Sequence, residues 1–162
     1  MSIRASELRV LVVDACPINQ LLTDVILSRW GVSPEVAFTA DQALCRATSE
    51  DYDFIFIELE TALTGGLTIC ARIRRLDDKP LSRSLVPIVG YTSSSLATEV
   101  LLLNHAGFSD VLAKPCDVSS MGACLQRWCM RRSMRYDHEV FAHNQSVHVA
   151  KQSAARGRLS GK

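Results

Sequence analysis

The sequence lacks any apolar run long enough to cross a membrane. A spanning helix needs roughly 20 consecutive, mostly apolar residues, and no segment of the 162-residue chain approaches that length. The first ten residues, MSIRASELRV, also lack the apolar stretch of a secretion signal. We therefore expect a complete small protein of the cytoplasm, with no membrane partner.

The cysteines lack the spacing of a disulfide framework or a metal site. There are six, scattered and without a C-x-x-C pair: Cys16, Cys45, Cys70, Cys116, Cys124 and Cys129. Such an arrangement is typical of reduced thiols in a cytosolic protein. The chain also has little excess charge, +1 in total, so its charge gives no reason to expect a nucleic acid partner.

The last thirty residues lack the composition of a packed core. Residues 133–162 hold five basic and two acidic residues among small and polar ones. A segment of this kind buries little apolar surface. We therefore predict one domain over residues 1–132, followed by a basic, disordered tail over residues 133–162. The whole chain, at 48% hydrophobic and 22% charged residues, has an ordinary globular composition.

What the sequence does contain is a fivefold alternation of strand-like and helix-like segments. Apolar runs such as FIFI at 54–57 are typical of central parallel strands. After Pro17 the apolar residues recur with a helical period: Ile18, Leu21, Leu22, Val25, Ile26 and Trp30. The predicted strands span 8–13, 34–38, 53–59, 86–91 and 108–113, and the predicted helices 17–30, 40–49, 66–76, 95–106 and 117–131. The pattern predicts an α/β fold, a flavodoxin-like doubly wound sheet of five parallel strands, (βα)5, in the order 2-1-3-4-5.

Four polar residues stand where predicted strands end. Asp14 follows the first strand, Glu58 ends the third, Thr92 follows the fourth and Lys114 follows the fifth. The carboxyl ends of parallel strands meet at one edge of such a sheet, where ligands bind. We therefore expect two carboxylates, a hydroxyl and an ammonium group to share one crevice. Glu60, two residues further along, is interpreted as an ordinary loop residue.

The segments around these residues resemble receiver domains of two-component response regulators and hybrid histidine kinases. The matching stretches are VLVVDACPINQ (10–20), YDFIFIELETALTGGL (52–67), PIVGYTS (87–93) and AGFSDVLAKPCD (106–117). The resemblance implies a signalling module, not an enzyme, that meets a histidine kinase or phosphotransfer protein. In the family an Asp ending strand 3 accepts a phosphoryl group beside a Mg²⁺ ion, and the positions of Thr92 and Lys114 bind the phosphoryl oxygens.

Two positions depart from that pattern. The acceptor position holds Glu58, and Ala15 replaces the second acid of the metal-binding pair that begins with Asp14. We therefore expect no cofactor and no metal site, with at most weak binding of Mg²⁺ by Asp14 and Glu58. A contact between Glu58 and Lys114 would make the glutamate a fixed, imperfect substitute for a phosphoryl group, which carries about two negative charges rather than one. The chain would then be an atypical single-domain response regulator of a two-component phosphorelay, a pseudo-receiver acting without phosphorylation.

Two other functions stay open on the sequence. A receiver that is still phosphorylated, in a non-standard way, would accept the phosphoryl group on Glu58. A nucleotide- or flavin-binding module would use the same class of fold. DACPINQ after strand 1 disfavours the second of these, because it contains no glycine for a phosphate-binding loop.

The resemblance places protein contacts on helix 4, strand 5 and helix 5. Helix 4 holds four consecutive apolar residues at 100–103, and these cannot all face inward on a helical period. Val111 stands where many receivers carry a large aromatic switch residue. We predict a contact face for a signalling partner, or for a homodimer, that includes Val100, Leu101, Leu102 and Val111.

Overall fold

Five strands alternate with five helices in the computed structural model, which describes residues 8–60, 65–76, 86–93 and 100–128. The strands are β1 (Val10–Val13), β2 (Glu35–Ala37), β3 (Phe54–Glu58), β4 (Ile88–Thr92) and β5 (Asp110–Ala113). The helices are α1 (Pro17–Ser28), α2 (Ala40–Ser49), α3 (Gly65–Arg74), α4 (Val100–Ala106) and α5 over 118–128. Each predicted element is present, but residues 95–99 of the fourth predicted helix and 129–131 of the fifth lie outside the described residues. The strands begin one or two residues later than predicted, where pairing with a neighbouring strand begins.

All five strands form one parallel sheet in the order β2-β1-β3-β4-β5, which confirms the predicted fold class and topology. The register of β3 and β4 sets Glu58 beside Tyr91. Strands β1, β3 and β4 are buried along their whole length, as expected for apolar strands in the middle of a parallel sheet. Because the strands are parallel, the residues that follow β1, β3, β4 and β5 lie at the same edge.

The main core cluster joins the sheet to α2, α3 and α4. It combines strand residues such as Leu11 and Ile55 with Ala43, Ile69 and Leu103 from the three helices. Successive side chains of a strand point to opposite faces. The buried strand residues outside this cluster, such as Val10 and Val12, therefore lie on the other face of the sheet. The sheet is therefore covered on both sides, and its carboxyl edge holds the polar residues.

Helix α1 presents four of its large apolar residues to solvent. Its buried residues are Gln20, Thr23 and Leu27. Four large apolar side chains are exposed by 70%, 64%, 57% and 50%, and together we call them the α1 face: Ile18, Leu21, Leu22 and Val25. The apolar period after Pro17 thus correctly predicts a helix, but it marks the exposed side of that helix.

Helix ends have local causes that the sequence indicates. Pro17 occupies the first turn of α1. Asp117 caps α5, because its Oδ1 accepts a hydrogen bond of 2.7 Å from the backbone N–H of Ser120. Gly31 and Gly107, which follow α1 and α4, have φ angles of 75° and 97°, a left-handed conformation that glycine adopts without strain.

The turn after α1 packs against α5 through one aromatic side chain. Trp30 Nε1 donates a hydrogen bond of 3.0 Å to the carbonyl of Val118. The indole ring also lies over Gly122, where an added Cβ would come within 2.0 Å of a ring atom. Glycine at this position therefore makes room for the tryptophan.

The chain divides into two units, residues 2–124 and residues 125–162 together with Met1. The first contains the whole sheet, and the described part of the second is residues 125–128 of α5. The predicted boundary between 132 and 133 lies outside the described residues, so the disordered tail stays a prediction. No helix among the described residues is long and apolar enough to cross a bilayer. The five described cysteines are free thiols, and Cys129 lies outside the described residues.

Candidate functional site

Asp14 lies at the carboxyl end of β1 and is buried. Its Oδ1 accepts a hydrogen bond of 2.8 Å from the backbone N–H of Cys16, in a tight turn that leads into Pro17 and α1. Its Oδ2 accepts a hydrogen bond of 2.5 Å from the hydroxyl of Tyr91. The Gln20 side chain donates to the Asp14 carbonyl. Both carboxylate oxygens of Asp14 are thus engaged by the chain itself.

Glu58 and Lys114 form an ion pair across the sheet edge. Lys114 Nζ lies 2.8 Å from Glu58 Oε1, and the two side chains are 19% and 6% exposed. The backbone N–H of Lys114 donates to the Thr92 carbonyl at 2.8 Å, which fixes the residue after β5 beside β4. The ammonium group also lies 4.8 Å from the centre of the Tyr91 ring. The contact expected between Glu58 and Lys114 is therefore present.

Glu60 is part of the site, so its interpretation as an ordinary loop residue is wrong. Its Oε1 accepts hydrogen bonds from Thr92 Oγ1 (2.9 Å), from the Ser93 hydroxyl (2.8 Å) and from the Ser93 backbone N–H (3.1 Å). Its Oε2 lies 3.9 Å from Lys114 Nζ. Glu60 thus lies at the sheet edge, and its hydrogen bonds connect the turn after β3 to the end of β4.

The surroundings of Glu60 keep its carboxylate ionised. Burial alone would raise the pKa of Glu60. Hydrogen bonds from Ser93 and Thr92 and the positive charge of Lys114 outweigh that effect and lower the pKa of Glu60 to about 2. At neutral pH the donors at the end of β4 therefore face a full negative charge, which strengthens their hydrogen bonds.

The structure brings all four predicted site residues to one edge. A cleft of about 500 Å³ opens there, and Thr92 lies buried beside it. Its lining comes from the turns after β1, β3, β4 and β5: Asp14, Ala15, Cys16, Asn19, Glu58, Glu60, Ser93 and Lys114. Three carboxylates and one ammonium group make the lining acidic.

The residues in the cleft do not fit a Mg²⁺ ion. Magnesium needs several oxygen ligands in near-octahedral positions. Ala15 offers no oxygen, both oxygens of Asp14 already accept hydrogen bonds, and Glu58 is paired with Lys114. Across the described ranges, no group of three His, Cys, Asp or Glu residues is arranged to hold a metal ion.

The predicted contact face on α4 and β5 is described in part. The side chains of Val100 and Leu101 lie outside the described residues. Leu102 is 46% exposed and Leu103 is buried, as the helical period requires for neighbouring apolar residues. Val111 is half-buried and packs against the core cluster. The role of this face in binding stays a prediction.

Sequence reasoning misses two residues of the site, Glu60 and Tyr91. Tyr91 stands in a buried strand, where its apolar ring is expected. A buried phenol needs a hydrogen-bond partner. This requirement indicates that Tyr91 contacts a polar residue, and in the structure that residue is Asp14. The position of Glu60 depends on the path of the turn after β3, and no local pattern indicates it.

Comparison with known proteins places residues 10–126 in the family model described as "Response regulator receiver domain". Among curated relatives, the aerobic respiration control sensor protein ArcB of Escherichia coli is 30% identical over 121 residues, which are 75% of this chain and 15% of that protein. The hybrid signal transduction histidine kinase G of Dictyostelium discoideum is 26% identical over 124 residues, 75% of this chain and 4% of that protein. The chain therefore corresponds to a small part of these relatives.

Solved structures agree with this comparison. The receiver domain of the sensor histidine kinase PA1611 from Pseudomonas aeruginosa, which has a magnesium ion coordinated in its active site cleft, is 26% identical with a TM-score of 0.65, covering 75% of this chain and 96% of that chain. The chemotaxis protein CheY4 of Vibrio cholerae shares the fold at 21% identity and a TM-score of 0.67, covering 74% of this chain and 97% of that chain. With this fold, a cleft at the carboxyl edge and a family match over most of its length, the chain belongs to the response regulator receiver domain family of two-component signalling.

Proposed function

We propose that this chain is a receiver module that acts through protein contacts without being phosphorylated. The observation that carries the proposal is the carboxylate of Glu60, which accepts hydrogen bonds from Thr92 Oγ1 and from both donors of Ser93. Phosphoryl transfer depends on donors and cations placed around the phosphoryl oxygens. In this cleft an internal carboxylate already uses the donors at the end of β4.

The acceptor position supports the same proposal. Glu58 is paired with Lys114 at 2.8 Å, so the ammonium group that would bind a phosphoryl oxygen already has a carboxylate partner. The extra methylene of glutamate also moves its oxygens on the order of 1.5 Å from the place that an aspartate would occupy. Misplacement of reacting atoms by about 1 Å can cost about 100-fold in rate. We therefore propose no catalytic activity and no cofactor for the chain.

Labelling with a small-molecule phosphodonor tests this proposal. The wild type is compared with Glu58→Gln, Glu58→Asp and the double variant Glu58→Asp/Ala15→Asp, with an ordinary receiver domain as the positive control. We expect the wild type to take up no more label than Glu58→Gln, and the double variant to take up at least tenfold more. Label that enters the wild type and is lost in Glu58→Gln would instead establish a receiver phosphorylated on glutamate.

We propose the α1 face as the surface that meets a partner. Ile18 adjoins Asn19 and lies two residues from Cys16, and these two residues line the cleft, so the apolar face and the cleft are continuous. Exposed apolar patches of this kind mark binding surfaces. Because the relatives include a hybrid signal transduction histidine kinase and a respiration control sensor protein, the proposed occupant is a helix of a histidine kinase or phosphotransfer protein in the cytoplasm, with its apolar side against α1.

A further inference from the structure

We propose that Tyr91 is a positioning residue that keeps the cleft from coordinating a divalent cation, by holding Asp14 in a buried tyrosine–carboxylate pair. The inference rests on the proposed function. It adds a third cause for the expected loss of the metal site, beside the substitutions at Ala15 and Glu58. It predicts that restoring both acids is not sufficient to rebuild a tight metal site.

The pair between Tyr91 and Asp14 is short and shielded from water. The tyrosine hydroxyl lies 2.5 Å from Asp14 Oδ2, which is the range of a hydrogen bond between a hydroxyl group and an ionised carboxylate. Tyr91 is 3% exposed and Asp14 is 1% exposed. The backbone N–H of Cys16 engages the other oxygen. A cation that bound Asp14 would have to share a carboxylate oxygen with one of these donors, because each oxygen already accepts a hydrogen bond.

The Tyr91 side chain is held in place from two sides. Tyr91 stands beside Glu58 in the register of β3 and β4, and the ammonium group of Lys114 lies 4.8 Å from the ring centre. A cation that bound Asp14 Oδ2 would weaken the hydrogen bond that this oxygen accepts from the buried hydroxyl, and weakening a buried hydrogen bond is costly. The hydroxyl therefore competes directly with any metal ion for Asp14.

Titration with Mn²⁺ and Mg²⁺ in solution tests the inference without any phosphorylation step. Calorimetry and Mn²⁺ electron paramagnetic resonance are applied to the wild type, Tyr91→Phe, Ala15→Asp/Glu58→Asp and the triple variant that carries all three changes. We expect no binding in the wild type or in Tyr91→Phe, weak binding in the double variant, and binding at least tenfold tighter in the triple variant. Tyr91→Phe retains the ring, and thermal unfolding checks that each variant is folded.

Tyr52 provides a matched control at the other edge of the sheet. It is also buried, and its hydroxyl donates to a carboxylate, Glu35, at 2.8 Å. Tyr52→Phe in the double-acid background should leave the metal affinity unchanged. The inference is overturned if the triple variant binds no more tightly than the double variant, or if Tyr52→Phe has the same effect. Tight binding by the wild type would also overturn it, because the cleft would then coordinate the ion with Tyr91 in place, whereas labelling of Glu58 counts against the proposed function.

Discussion

The ionised carboxylate of Glu60 stabilises the folded domain, and this contribution depends on pH. Its ordinary pKa of 4.5 falls to about 2 in the folded protein. A carboxyl group with a lowered folded-state pKa adds stability above its unfolded pKa, and that stability is lost as the pH falls through the folded pKa. The contribution of Glu60 should therefore be complete above about pH 4.5 and disappear between pH 4.5 and pH 2.

We predict that Glu60→Gln lowers the free energy of unfolding by about 1 kcal/mol at pH 7, a modest value because the side chain is one-third exposed. Urea unfolding followed by circular dichroism measures the free energy of unfolding at each pH. The difference in this free energy between the variant and the wild type should be unchanged at pH 5 and smaller at pH 4 and pH 3. Asp24→Asn, which removes an exposed acid of α1, is the matched control and should show no such narrowing. A Glu60 effect of constant size from pH 7 to pH 3 would contradict the role of its charge.

At this scale, the sequence predicts residues whose place follows from topology alone. Asp14, Glu58, Thr92 and Lys114 converge because parallel strands end at a common edge, and strand ends are readable in sequence. Their partners are less predictable. Tyr91 pairs with the carboxylate of Asp14, which follows β1, across the intervening strand β3. This contact depends on three-dimensional register rather than on local pattern.

Elements are joined by a few specific contacts, and the Trp30–Gly122 contact between the turn after α1 and α5 is one of them. We predict that Gly122→Ala destabilises the protein by about 1 kcal/mol. Overpacking costs about 1–3 kcal/mol, and the better helix propensity of alanine offsets up to about 1 kcal/mol of that cost. Urea unfolding of the single variants and of Trp30→Phe/Gly122→Ala measures the coupling between the two positions.

The cost of Gly122→Ala should shrink by at least about 1 kcal/mol in the Trp30→Phe background, because the smaller ring leaves room for a methyl group. Equal costs in both backgrounds would show that the indole does not set the requirement for glycine. Trp30→Phe alone should also destabilise, since it removes the hydrogen bond from Nε1 to the Val118 carbonyl.

Helix α1 shows what periodicity can and cannot predict. Its apolar residues recur at helical spacing, but so do the buried residues Gln20, Thr23 and Leu27. Either stripe satisfies the period. Tertiary contacts decide which one faces the sheet: Gln20 reaches the carbonyl of Asp14, and the apolar stripe is left to solvent. The period therefore identifies the helix and leaves its orientation open.

The two edges of the sheet carry different ionic networks. At the amino edge, Arg9 pairs with Glu35 and Glu50, and Arg46 pairs with Glu35. These side chains are 34% to 45% exposed, so solvent screens them and each pair adds little stability. At the carboxyl edge, Glu58 and Lys114 are far less exposed. Charge changes there should therefore perturb the domain more than changes at the amino edge.

For the molecule as a whole, the α1 face and the predicted contact face on α4 and β5 are alternative docking surfaces, and charge substitutions distinguish them. We predict that Leu22→Lys weakens binding to a histidine phosphotransfer domain by at least tenfold, because burying a leucine contributes about 1.5–3 kcal/mol. Leu102→Lys, which adds the same charge to an exposed leucine of α4, should change the affinity by less than about twofold. Calorimetry against a panel of purified phosphotransfer domains from the same genome measures both variants.

The same variants test whether a second copy of the chain binds the α1 face and whether the partner binds the other face instead. In light scattering after size exclusion, a dimeric wild type that becomes monomeric as Leu22→Lys would place a second copy of the chain on the α1 face in place of the proposed partner. Loss of binding in Leu102→Lys but not in Leu22→Lys would show that the partner binds the predicted contact face on α4, β5 and α5. A wild type that binds no member of the panel would contradict the partner class itself, because an apolar α1 face continuous with the cleft should hold such a helix whether or not Glu58 accepts a phosphoryl group.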